Sequence, residues 1–429
     1  MTLVLVVLFG LMLLGIPVAF AILSAGMAYL ATTGGSMLVV AQRLIYGLNS
    51  FTLLAVPLFI LVGNLMDFGG ISKRLTDWAK SILGWLPGGL GIVTVFSCAI
   101  FAALTGSGPA TVAAMGSIML PSMLKAGYSR ETSAGLVASA GALGPIIPPS
   151  IPMIIYGVTM NLSIPAMFMA GVVPGLVIAL ALSLVNVVFA YRNPEVLKHA
   201  KTMKFDFKES MKLFWKALGA LGLPVLILGG IYGGIFTPTE SAAVGIVYAL
   251  ILGFALKELK VKDLPKILIN SLKTSTMVNF IIAAASLFSW VVSKSQIGIV
   301  ISNAFISFVG GSQALYLFVL VVVLLIVGCL MDNVAATLIL APILIPVGIA
   351  LGCNELHIGM LFCICLVVGF VTPPFGYNLF TAVSISGLNF KQIVKGALPF
   401  LLTEILLLFV FAYVPGIITW LPRLMGYGY

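Results

Sequence analysis

The sequence predicts an all-α polytopic membrane protein made of two inverted-topology repeats, each with a re-entrant helical hairpin and a broken transmembrane helix. Three observations predict it. Of 429 residues, 61% are hydrophobic and 8% charged, and many apolar runs approach or exceed the ~20 residues a spanning helix needs. Glycines, prolines and hydroxyls interrupt some of these runs at membrane depth. The interruptions recur at a spacing of 225: Pro121 with Pro346, Gly127 with Gly352, Gly144 with Gly369, and Pro148-Pro149 with Pro373-Pro374.

In chain order, MTLVLVVLFGLMLLG lacks a basic leader and a small-residue cleavage site, and reads as a retained membrane segment. The apolar run to residue 31 is broken at Gly15 and Pro17, which fits one kinked helix or two short ones. Residues 36–48 and 71–83 are amphipathic, the second placing Lys73, Arg74, Asp77 and Lys80 among apolar positions; such segments lie along the interface or brace a moving part. Residues 51–68 form a span. Next comes ALTGSGPAT (103–111), flanked by apolar arms 91–104 and 111–124. Each arm has ~14 residues or ~21 Å, short of a ~30 Å hydrocarbon core. The pair therefore reads as a hairpin over about 91–124.

The following span, about 131–160, contains GPIIPPSIP (144–152), whose four prolines predict an unwound middle. Residues 166–191 return across the membrane. After a basic stretch come 217–235, the turn TPTE, 241–256 and 274–293. A second hairpin is expected over about 313–350, with Met331-Asp332-Asn333 where the first has Gly106-Ser107-Gly108, and a second broken helix over about 355–382. Pro17 and Pro238 correspond at a nearly equal offset. The chain thus divides into residues 1–192, a basic cytoplasmic linker 193–216, and residues 217–429.

A net charge of +10 would suggest nucleic acid in a soluble protein, but here the positions of the charges report sidedness. Seven basic residues fall in 192–216 and five in 257–273; if both are cytoplasmic, alternation leaves only Arg43, Lys294 and Arg423 outside. The first hairpin then opens to the cytoplasm and the second to the other side. Secondary transporters with such repeats place substrate and coupling ions near the midplane.

Unwound backbone at that depth must line a polar cavity or be buried in protein. Carbonyl ends near Leu104 and Leu143 suit a hard cation such as Na⁺, and N–H ends near Thr111 and Ile151 suit a carboxylate; the same parts recur near Leu330, Val334, Phe370 and Phe375. Thr105, Ser107, Ser150 and Thr372 either ligate an ion or bond back to their own helices. Asp332 is either a functional carboxylate or an acceptor tying its tip together. Asn333 and Asn378 either bind substrate or cap half-helices. Glu404 faces the site, a neighbouring helix or another subunit, and Glu240 starts a helix.

No intramembrane Arg or Lys stands out as an anion clamp. The five cysteines lie in apolar runs and read as small buried residues, with neither disulfide nor metal expected. His199 and His357 read as surface or interfacial. ATP and hydrolase motifs are absent: there is no Walker A, HExxH or GxSxG, and Ser107 has no histidine base.

LLAVPLFILVGNLM (53–66), ALTGSGPATVAAMGSIMLPSMLKAGYSRETSAGLVASAGALGPIIPPSIPMIIYG (103–157), YGGIFTPTESAAVG (232–245) and GFVTPPFGYNLF (369–380) resemble the large membrane subunit, the M subunit, of tripartite ATP-independent periplasmic (TRAP) transporters. The resemblance covers nearly the whole chain. It implies Na⁺-driven import of an organic acid, in the C4-dicarboxylate or sialic acid class, across a bacterial inner membrane. The implied partners are a soluble periplasmic binding protein, a separate small four-helix subunit (the Q subunit) and membrane lipid, with no nucleic acid, and the implied motion is an elevator movement of hairpins and broken helices. One Na⁺ site would involve Thr105, Gly106, Ser107, Gly108, Pro109, Gly144, Pro145, Pro148 and Ser150. The other would involve Gly328, Met331, Asp332, Asn333, Gly369, Thr372, Pro373 and Gly376. Substrate would meet Ser107, Pro149, Asn333, Pro374 and Asn378. A stand-alone dicarboxylate symporter and a non-transporting scaffold are the rival expectations.

Overall fold

Gly15 and Pro17 settle how the chain starts. Gly15 takes φ +80° and Pro17 ends the run of backbone donors, so the apolar stretch forms two helices, α1 (Thr2–Leu13) and α2 (Val18–Thr33), packed against each other. This computed structural model describes residues 2–428, and every regular element among them is helical. There follow α3 (Leu38–Leu48), α4 (Ala55–Phe68), α5 (Ile71–Leu83), α6 (Gly89–Thr105), α7 (Gly108–Lys125), α8 (Arg130–Ala140), α9 (Leu143–Ile146), α10 (Ile151–Met160) and α11 (Ile164–Tyr191). The remainder is α12 (Pro194–Thr202), α13 (Phe207–Tyr232), α14 (Pro238–Ala255), α15 (Leu264–Lys294), α16 (Ile297–Phe308), α17 (Gln313–Leu330), α18 (Asn333–Ala350), α19 (Glu355–Gly369), α20 (Tyr377–Ser386), α21 (Phe390–Tyr413) and α22 (Gly416–Leu424). Among the described residues, nine helical stretches are long and apolar enough to cross a bilayer.

Four expectations need correction. The first hairpin's arms have 17 and 18 residues rather than ~14, because Gly108 and Pro109 begin α7, where a missing N–H costs little; only Gly106 and Ser107 lie outside the helices. The first broken helix runs on past Gly144 as the short turn α9 and unwinds at residues 147–150. The basic stretch is largely helical, because Asn193 caps α12 and Asp206 caps α13. His357 is buried, not superficial: α21 covers it, and its Nε2 lies 2.8 Å from the Phe411 carbonyl oxygen, which satisfies the ring. Glu240 starts a helix as expected, closing a capping box with Thr237.

The helices pack in two groups. In one, α15 crosses α2, α3 and α4, and α14 lies against α4 and α13. In the other, α21 packs on α8, α19 contacts both arms α17 and α18, and α20 lies against α7 and α8. Helix α5 bridges them: the Trp78 ring sits 5.6 Å from Phe214 of α13 and 6.1 Å from Phe96 of α6, and Lys80 donates to Ser122 of α7 at 3.1 Å. Outward faces are apolar, as lipid requires; Leu176, Leu180, Leu184 and Val188 form an exposed stripe down α11.

Helices α8 and α21 cross closely, where a Cβ at Gly396 would fall 2.0 Å from the Glu131 carbonyl oxygen, the close backbone approach that small residues permit in membranes. Gly396→Val should therefore destabilise the chain by about 1–3 kcal/mol, read as a lower melting temperature in detergent. A wild-type melting temperature would contradict this packing.

Candidate functional site

Each hairpin tip leans on the unwound part of a broken helix. Gly106 takes φ +59°, and a Cβ there would lie 3.1 Å from the Pro149 carbonyl oxygen. A Cβ on Gly144 would fall 2.7 Å from the Ser107 carbonyl oxygen. At the other tip the backbones of Gly328 and Gly369 touch: a Cβ on Gly369 would lie 2.5 Å from the Gly328 carbonyl carbon. The Gly376 N–H reaches the Cys329 carbonyl at 3.4 Å, and the Asn378 N–H donates to the Phe370 carbonyl at 3.0 Å. Both Pro-Pro bonds, Pro148-Pro149 and Pro373-Pro374, are cis.

Between the tips and the α4–α15 pair lies a cavity of about 340 Å³, within the range that takes small ligands. Eight of the expected residues line it: Thr105, Gly106, Ser107, Gly108, Pro109, Pro145, Asp332 and Asn333. Gly144, Pro148, Ser150, Gly328, Met331, Gly369, Thr372, Pro373 and Gly376, with Pro149, Pro374 and Asn378, are not part of its wall. Asn378 is fully buried behind the first tip, its amide donating to the Ala138 carbonyl at 3.0 Å.

Side-chain bonds divide the candidates. Thr105 bonds back to the Phe101 carbonyl and meets the Thr111 hydroxyl at 3.1 Å, Thr372 bonds back to Val368, and Ser150 donates to the Pro145 carbonyl. Asp332 caps α18, accepting from the Val334 and Ala335 N–H groups at 2.9 and 3.4 Å. Three groups are left over, one of them the side-chain oxygen of the buried Asn378, whose amide nitrogen alone is met. Ser107, at the N-cap of α7, makes no capping bond, and the buried Asn333 amide has no partner at either its oxygen or its nitrogen. A buried amide without partners is costly unless something else meets it.

The first residues of α7, α10, α18 and α20, namely Gly108, Ile151, Asn333 and Tyr377, all line the cavity. Four helix N-termini, with their partial positive charge, therefore border one space, and several of their N–H groups are already met: Val334 and Ala335 by Asp332, Met153 by Ser150 and Asn378 by the Phe370 carbonyl. The sequence reading missed the opposite wall: Asn64 and Asp67 of α4, and Thr274 and Met277 of α15. Asn64 donates to Ser271 at 2.8 Å, tying α4 to α15. A signal existed, since Asn64 and Asp67 are the only polar side chains of α4 and stand three apart. Thr274 sits among several polar neighbours and offers none.

Both Ser107→Cys and Asn64→Cys should react with a small polar thiol reagent much faster than Asn378→Cys, against a low background from native cysteines that are all buried. Equal rates at all three would contradict the cavity geometry.

Residues 5–417 match the family described as "Tripartite ATP-independent periplasmic transporter, DctM component". The chain is 39% identical over 405 residues to the C4-dicarboxylate TRAP transporter large permease protein DctM of Pseudomonas aeruginosa, covering 94% of each chain. It is 34% identical over 422 residues to the sialic acid TRAP transporter large permease protein SiaM of Vibrio cholerae, covering 98% of each. The isethionate TRAP transporter permease protein DctMQ of Oleidesulfovibrio alaskensis is 39% identical over 411 residues, 95% of this chain and 64% of that one. The fold is also that of the efflux pump MtrF of Neisseria gonorrhoeae, at a TM-score of 0.60 and 16% identity, over 91% of this chain and 85% of that one. Long full-length identity and a matching family over nearly the whole chain lead to one conclusion: this multi-pass membrane protein belongs to the DctM component family of TRAP transporters, and is a large permease, not an enzyme.

Proposed function

We propose that the chain imports a small organic acid together with Na⁺ across a bacterial inner membrane, as the large permease of a three-part system. One observation carries this reading. Among the described residues, the only carboxyl or basic side chains lining the cavity are Asp67 and Asp332, both acidic, while four helix N-termini border it. An organic anion there gains from the N–H ends but is repelled by two carboxylates, so it binds well only with cations alongside. Among the described residues no three His, Cys, Asp or Glu side chains cluster to hold a metal. The tips and breaks offer closely packed carbonyls and hydroxyls instead, which are hard donors that suit Na⁺.

One Na⁺ belongs between Thr105–Pro109 and Gly144–Ser150, the other between Gly328–Asn333 and Gly369–Gly376. Ser107 and Asn333 meet the substrate, while Asn378, Pro149 and Pro374 shape the tips from behind. The two halves are inverted repeats joined through the basic α12 region. The hairpins and broken helices move as a block against α4 and α15, with α5 as the arm between. A periplasmic binding protein delivers the acid and a small membrane subunit braces the static helices. The relatives' C4-dicarboxylate, sialic acid and isethionate are the first substrates to try.

Uptake into proteoliposomes holding this chain with its small subunit, given binding protein and an inward Na⁺ gradient, should exceed uptake with K⁺ in place of Na⁺. Equal uptake in K⁺ would overturn cation coupling, uptake without binding protein would assign a stand-alone symporter, and no uptake of any acid would return the scaffold reading. Asp332→Asn keeps a capping side chain and removes the charge, so it should weaken apparent Na⁺ affinity about tenfold with folding intact. Unchanged Na⁺ dependence would reduce Asp332 to a cap.

A further inference from the structure

A second cavity, of about 630 Å³, stands on the same helices as the first. Helix α15 passes from Val278 in the first to Ile282 in the second, α10 from Pro152 to Ile155, and α18 from Val334 to Leu338. Each step is three or four residues, about one turn or ~5 Å. The side chains at this step are apolar, and Ile155, Ile282, Val334 and Leu338 are all buried. The two cavities are thus about one helical turn apart along three shared helices, and α3 contributes Arg43, Tyr46 and Gly47 to the second, here called the outer chamber.

Among the described residues, one charged side chain lines the outer chamber, Arg43 of α3. Its guanidinium stands over the Tyr46 and Trp290 rings, 5.7 and 5.5 Å from their centroids. The rings orient the cation but leave its charge uncompensated and its N–H fork available. No carboxylate lines this wall, and Asn49, Ser286 and Ser289 add polar groups. The charge character is the reverse of the inner cavity, which holds acids and no base.

We propose that this chamber is an anion-receiving vestibule, in which Arg43 takes a carboxylate or sulfonate of the incoming acid before the acid reaches the cavity between the tips. The proposal rests on the import reading above. The sidedness of the basic residues puts Arg43 on the outer face, where the acid arrives, and a cation in a chamber of this size raises the local concentration of anions.

The test reads charge directly. In Ser289→Cys, an anionic sulfonate methanethiosulfonate should react several-fold faster than its trimethylammonium counterpart. Adding Arg43→Gln should abolish that preference and Arg43→Lys should largely restore it. Should Arg43→Gln not fold, Ser286→Asp leaves Arg43 in place and should lower the ratio in the same way. In uptake, Arg43→Gln should raise KM about tenfold with a smaller change in maximal rate. A reagent ratio indifferent to these changes, or one that follows the anionic-lipid content of the vesicles, overturns the vestibule; in the second case the cation serves a lipid headgroup. If the wild type moves no organic acid, the import reading fails; if it transports normally and Arg43→Gln keeps its KM and its ratio, only this inference fails.

Discussion

Backbone that leaves the helix inside hydrocarbon has to find its hydrogen-bond partners in protein, and the rest of the structure is arranged around that requirement. Neither hairpin tip could stand in lipid alone. Gly106 and Ser107 rest on Gly144 and Pro149, while Gly328 and Cys329 rest on Gly369 and Gly376. Side chains would hold these backbones apart, so the contacts fall on glycines. Once tip and break are pressed together, the helices that begin there start at one place and point their N-termini into one space.

That convergence fixes the electrostatics. Four N-terminal ends favour negative charge, while Asp332 answers one of them by capping α18 and Asp67 faces the same space from α4. The wall is thus neither a simple anion site nor a simple cation site. On the proposed import reading, such a wall favours a neutral combination of acid and cation over either alone, which would couple the two without any moving charged side chain.

Much of this was legible in the sequence because the relevant constraints are local. Gly15-x-Pro17, the Gly/Pro tips and the paired Pro-Pro breaks announce themselves in apolar runs where nothing else tolerates them. Boundaries were less legible: Pro109 and Pro145 look like breakers, yet Pro109 sits in the first turn of α7 and Pro145 within α9, where proline is accommodated. The places of His357 and Asn378 are not legible locally, because their partners, Phe411 and Ala138, are remote in sequence. Asn64 and Asp67 were readable as polar residues on one face, but only the packing of α4 against α15 gives them a cavity to face. Glu404 remained ambiguous for the same reason; it is fully buried with both carboxylate oxygens unpartnered, and no local pattern distinguishes that from a lipid-facing or subunit-facing position.

The partition between the two chambers is only about one helical turn thick. If the two cavities open to opposite aqueous phases, as the proposed import path requires, most of the transmembrane voltage falls across that turn instead of across the ~30 Å of the bilayer. An elementary charge crossing it then exchanges ~2.3 kcal/mol per 100 mV over a very short path. In that arrangement a displacement of a few ångströms at Ile155, Ile282, Val334 and Leu338 is small mechanically and large electrically, so the membrane potential would act on a charge in the inner cavity without any large movement of the helices around it.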